Sequence, residues 1–145
     1  MEIEYYKYPL DLKRIFQQKK LQKCSLGDAI SQNLQLIILS HNGEHRYNHS
    51  LGCEIWDLDF DLILSLRVWE EKLRNSLLYA IDKNEKTLEN VDVSVAVSEV
   101  ENTFNSNQYI SIKRQVDIQV HAFLKETGEK YYFQTKLFLS PVSAQ

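Results

Sequence analysis

Apolar residues recur along this chain with two different periods, and the switch between them divides it. In the first part the spacing is helical. Leu12, Ile15 and Phe16 follow Pro9, a residue suited to a helix start, and predict a helix over about 10–22. Leu26, Ile30, Leu34, Ile37 and Ile38 form one stripe and predict a second helix over about 26–40, opened by Ser25 with Asp28 three residues on as a capping pair and closed near the turn signal Asn42-Gly43. "EIWDLDFDLILSL" then alternates apolar residues with Asp57, Asp59 and Asp61, the pattern of a short extended segment with one wet side. Ser65 is placed to cap a third helix running to about residue 84, with Leu66, Trp69, Leu73, Leu77, Ala80 and Ile81 on its buried face. Arg67–Glu71 and Glu70–Arg74 stand four residues apart and are expected on its exposed side.

After that helix the period becomes two. Val91, Val93, Val95 and Val97 share one face of a strand, with Asp92, Ser94, Ala96 and Ser98 on the other. "ENTFNSNQ" reads as a polar loop. "YISIKRQVDIQVHAFLK" alternates again through Val116, Ile118, Val120 and Ala122, "ETGEK" is a turn containing Gly128, and "YYFQTKLFLS" is the last strand. The expected class is α+β: N-terminal helices followed by an antiparallel sheet of three strands or slightly more.

Length and charge refine this picture. A chain of 145 residues favours one domain, here residues 25–145, preceded by a basic helical arm over 1–24. The total charge is −3, which gives no general attraction to nucleic acid. Residues 1–23 nevertheless hold Lys7, Lys13, Arg14, Lys19, Lys20 and Lys23 against Glu2, Glu4 and Asp11, a net of +3 that leaves −6 for the rest. A basic arm on an acidic body is suited to an acidic partner, or is simply a solvated helix face. The apolar run "LQLIILS" is far shorter than the ~20 residues needed to span a bilayer, so direct membrane insertion is not expected. "MEIEYYKYPLD" has no apolar signal core, which predicts a cytoplasmic chain with Cys24 and Cys53 as separate thiols.

Reactive side chains concentrate in "HNGEHRYNHSLGC", residues 41–53. His41, Glu44 and His45 fit H-x-x-E-H, a zinc-site order that works on one face of a continuous helix. Asn42-Gly43 lies between the ligands and argues for a turn instead. His49 continues the i,i+4,i+8 spacing, which means little in a turn, and Cys53 or Glu54 would have to complete the set, at spacings that match no known site. A two-carboxylate hydrolase needs acids ~5–10 Å apart around the scissile bond, and Glu44 with Asp57, Asp59 or Asp61 is the available combination. Cys53 with His45 or His49 lacks a third, orienting group. Gly27, Gly43, Gly52 and Gly128 are too scattered for a phosphate loop. The structural alternative is a turn joining a buried helix to the next segment. In it Gly43 ends the helix in a left-handed conformation, Arg46 reaches carbonyls or carboxylates with its planar fork, and Gly52 permits close backbone approach.

The stretch "ISQNLQLIILSHNGEHRYNHSLGCEI" resembles the central motif of the phage-tail baseplate wedge family historically called lysozyme-like (the gene-twenty-five-like family), whose type VI secretion member is TssE. Family members carry an I-x-Q-x-I-x-x-I-L helix, then Thr-Pro, a Gly-x-x-Arg turn and an aromatic-Gly pair. The matching positions are Ile30 to Leu39 with Gln32, Gly43 to Arg46, and Leu51-Gly52. The resemblance covers roughly residues 25–140. The departures are Ser40-His41 for Thr-Pro, His49 where a proline often stands, Leu51 for the aromatic residue, and Glu85-Lys86-Thr87 for Glu-Pro-Arg, of which only Glu85 carries over. They suit a divergent branch, and a secretion-system subunit better than a phage tail protein.

The resemblance implies a structural baseplate subunit of a contractile injection machine that links the wedge to the first sheath ring by strand exchange. Its implied partners are wedge proteins and sheath subunits, with no nucleic acid, and its implied place is a baseplate docked at the inner membrane. It implies no cofactor, no metal and no catalysis, so Gly43, Arg46, Gly52 and Glu85 are expected as fold or interface residues. The alternative carried by the family's historical name is a cell-wall hydrolase using Glu44 and a nearby Asp.

Overall fold

Ser25 sits in extended conformation, and its hydroxyl oxygen accepts the Asp28 N–H at 3.1 Å, so the predicted cap does open a helix. The Ser25 hydroxyl also donates to the Asp28 carboxylate at 2.7 Å. The structure is a computed structural model that describes residues 3–56, 65–103 and 110–139. Its second helix, α2 (Leu26–Leu39), buries Ile30, Leu34, Ile37 and Ile38, the expected stripe. Helix α3 (Leu66–Asn84) is capped by Ser65, whose oxygen accepts from Val68, and buries Trp69, Leu73, Leu77, Ala80 and Ile81. Most of the extended segment expected after Ile55, with Asp57, Asp59 and Asp61, lies outside the described residues; Glu54–Trp56 form a single 3-10 turn.

Ahead of α2 the arm departs from expectation. The helix predicted over 10–22 is only α1 (Leu12–Phe16), one turn with no buried residue. Gln18 then takes φ +55, and the chain returns so that β1 (Tyr5–Tyr6) pairs antiparallel with β2 (Lys23–Cys24). The physical reason is packing. A helix continued through Gln17–Lys23 would bring almost no apolar surface to the core, whereas folding back places the Lys23 ammonium against Glu4 and the Tyr8 N–H against the Gln32 side-chain carbonyl. The arm is therefore a short ribbon lying on α2, with Phe16 87% exposed at its far end.

The three predicted strands form one antiparallel sheet in the order β3 (Leu88–Thr103), β4 (Ile110–Leu124), β5 (Lys130–Leu139). Alternation fixes the faces: Val116, Ile118 and Val120 of the central strand are fully buried against the helices. The valine stripe of β3 and the odd residues of β5 continue the same inner face, with Val97 opposite Val116 and Val120 opposite Phe133. Between Glu89 and Asp92 the β3 register shifts by one residue, with Asn90 at φ +51, the geometry of a bulge. The β3 backbone runs to Thr103, so the first residues of the polar loop expected at 101–108 are strand, and the rest of that stretch lies outside the described residues. Among the described residues no helix is long and apolar enough to cross a membrane. Cys24 and Cys53 are separate thiols.

Candidate functional site

The histidine-rich stretch is a closed loop. Helix α2 ends at Leu39, and Ser40 turns extended, so Gly43 does not terminate the helix as the sequence suggested. Gly43 instead takes φ +83 in a turn where the His41 carbonyl accepts the Glu44 N–H at 3.1 Å, the position a type II turn reserves for glycine. The Glu44 carboxylate accepts the His41 N–H at 3.0 Å, closing the same turn from the other side. At the loop's base His41 and Cys53 form a parallel bridge, and the Cys53 N–H donates to the Ser40 carbonyl at 3.1 Å. Gly52 makes this crossing possible. A Cβ there would lie 2.6 Å from the Ser40 oxygen and 2.8 Å from His41 backbone atoms, and φ is +111.

This geometry separates the reactive residues. Cys53 is buried and its thiol donates to the Ile38 carbonyl at 3.3 Å, while His45 and His49 are exposed. Among the described residues no three His, Cys, Asp or Glu side chains converge as a metal site needs. The carboxylates that would accompany Glu44, those of Asp57, Asp59 and Asp61, lie outside the described residues. Arg46 stands on the exposed outer part of the loop, where its guanidinium lies 5.8 Å from the centre of the Tyr47 ring, which is itself 88% exposed. The carbonyl or carboxylate contact expected of Arg46 is not made among the described residues, and its side chain is exposed.

Glu85 lies elsewhere, at the end of α3, and is 7% exposed. Its carboxylate accepts from the Asn33 amide at 2.8 Å, the Thr87 N–H at 3.1 Å and the Thr87 hydroxyl. The preceding Asn84 accepts from Asn48 at 3.1 Å and donates to the carbonyls of Ser50 and Ala80. Asn33, Asn48, Asn84 and Glu85 thus join α2, the loop, α3 and the start of β3. The three asparagines carry no signal in the sequence, since a polar residue facing a tertiary partner leaves no periodic mark.

The two edges of the sheet differ. The Leu124 N–H donates to the Glu129 carbonyl at 2.9 Å, which by antiparallel alternation turns the odd residues of β5 toward β4. The N–H and C=O groups of Tyr132, Gln134, Lys136 and Phe138 therefore face away from the sheet, and among the described residues no hydrogen bond reaches them. The inward side chains of Tyr131, Phe133, Thr135 and Leu137 are only half-buried, unlike their β4 neighbours. At the opposite edge the Val97 N–H donates to the Glu70 carboxylate at 2.8 Å, and Arg74 donates to the Val93 carbonyl at 2.9 Å. These are the residues read from sequence as an exposed intrahelical pair; they reach for the strand rather than for each other.

No family model matches this chain. No curated protein matches it either. A solved structure from Geobacter sulfurreducens that carries the designation tail lysozyme is similar in fold, with a TM-score of 0.57 and 15% identity over 83% of this chain and 96% of that one. At that identity the likeness establishes a shared fold.

Proposed function

We propose that this chain is a structural subunit of a contractile injection baseplate, of the type VI secretion kind, that links the wedge to the first sheath ring by accepting a strand from a sheath subunit. The observation that carries the reading is the open β5 edge, with outward backbone groups and inward side chains left half-buried. An added strand would satisfy the first and cover the second, the usual logic of β-augmentation. The fold shared with a protein designated as belonging to a tail supports the same direction. In this reading no chemistry is performed: Glu44 is a turn residue, and Gly43, Gly52 and Glu85 hold the scaffold while Arg46 faces a wedge partner. The working place is the cytoplasm, in a baseplate docked at the inner membrane.

The test is purification of a tagged copy from its native cells under conditions that keep large assemblies intact. Wedge and sheath proteins are expected in the eluate. Their absence, together with clearing of peptidoglycan by the isolated protein and its loss in Glu44→Gln, would replace this reading with the cell-wall hydrolase.

A further inference from the structure

Ladder alternation aims the backbone groups of Val93, Val95 and Val97 away from β4 and toward α3. Glu70 and Arg74, one helical turn apart, meet two of them. Glu70 offers an acceptor to the Val97 N–H at 2.8 Å, and Arg74 offers a donor to the Val93 carbonyl at 2.9 Å. This is the complement an incoming strand would present at those two positions. Arg74 is held in place by Asp92, 3.7 Å from its guanidinium, and Glu70 is half-buried. Just upstream, the bulge at Asn90 interrupts the edge a second time. An ordinary exposed i,i+4 ion pair would leave both side chains directed at each other and in water, with the β3 backbone unmet.

We propose that Glu70 and Arg74 form a latch that closes the β3 edge, so that strand addition is confined to β5. The role given to β5 rests on the baseplate reading, but the latch is a property of the isolated chain. The partner it would exclude is a second copy of this chain. Antiparallel pairing of two β3 edges centred on Val95 would set Val93 of each copy opposite Val97 of the other, a self-complementary two-fold contact.

Two measurements on the isolated full chain test this. In the unmodified protein the Val97 amide should exchange with deuterium about tenfold more slowly than the Val95 amide, the size expected of one hydrogen bond to a charged acceptor. Both amides face outward and only Val97 is latched, so equal exchange overturns the proposal without any variant. In Glu70→Ala/Arg74→Ala the Val97 amide should lose that protection in dilute solution, and light scattering should show dimers as concentration rises. Glu70→Gln/Arg74→Lys, which keeps an acceptor and a donor, should behave as the unmodified chain. A folded double-alanine variant that keeps Val97 protection and the unmodified mass overturns the latch. Neither readout involves sheath or wedge proteins, so failure of the baseplate reading and failure of the latch are separately visible.

Discussion

The side-chain amide of Asn33 donates to the buried carboxylate of Glu85 across 2.8 Å, fastening the middle of α2 to the end of α3. The same carboxylate takes the Thr87 N–H as the chain enters β3. Glu85→Ala would strand these half-buried donors, and should cost about 2 kcal/mol in urea unfolding. Glu85→Gln keeps one acceptor oxygen at similar volume and should cost about 1 kcal/mol. An alanine variant as stable as the unmodified chain would remove Glu85 from the scaffold.

Gly43 and Gly52 both have positive φ but should respond differently to alanine. At Gly43 nothing lies within 4 Å of an added Cβ, so only left-handed strain is incurred, about 1–2 kcal/mol. At Gly52 the Cβ would press on the Ser40 carbonyl at 2.6 Å, in addition to that strain. Gly52→Ala should lose about 3 kcal/mol or more, or fail to fold, because backbone atoms cannot step aside as side chains do. Equal thermal midpoints for the two variants would contradict the crossing at His41–Cys53.

The contrast shows what the sequence made legible. Helices α2 and α3 were readable because their apolar stripes and serine caps agree, and the sheet because Val116, Ile118 and Val120 alternate without interruption. The arm was not. Gln17 to Lys23 has helix-forming side chains, but pairing of Tyr5–Tyr6 with Lys23–Cys24 prevailed over local propensity. The use of Glu70 and Arg74 was hidden for a related reason. Their spacing satisfies the intrahelical rule, and only the tertiary arrangement shows that β3 competes for the same groups. Gly52 was legible as a close approach, though not what it approaches.

Arg46 is separable from folding. It is exposed and contacts the neighbouring Tyr47 ring, so Arg46→Ala should change unfolding free energy by no more than about 0.5 kcal/mol. If it faces a wedge protein, recovery of that protein with the tagged variant should fall while the melting curve stays unchanged. A large drop in melting temperature would assign Arg46 to the fold instead.

Tyr131 gives the fold an alkaline limit. Its hydroxyl lies 2.6 Å from that of Ser31, linking β5 to α2; burial pushes the phenol above its ordinary value near 10, against the opposing pull of the Ser31 hydrogen bond and with Glu85 and Asp28 adding to the rise. A raised folded-state value means the unfolded chain gives up this proton first. The stabilisation is therefore complete below about pH 10 and is lost as pH rises through the folded-state value. Tyr131→Phe should flatten the fall of stability above pH 10 and remove a late component from the tyrosine absorbance titration. A titration unaltered at its upper end would show that Tyr131 ionises with the other tyrosines.

The open edge of β5 permits a substitution that separates binding from folding. The Lys136 N–H faces outward, so proline there removes no ladder bond to β4 and introduces a ring where an added strand must approach. Lys136→Pro should fold with a loss of about 1 kcal/mol and should no longer recover sheath protein from native cells. Thr135→Pro, one residue earlier, removes an N–H that does face β4 and should cost about 3 kcal/mol or more. Lys136 also lies 3.6 Å from Asp117, so Lys136→Ala is the control for lost charge and should bind as the unmodified chain does. Sheath recovery undiminished in a folded Lys136→Pro would mean that the partner does not extend the sheet through β5, whatever else it touches.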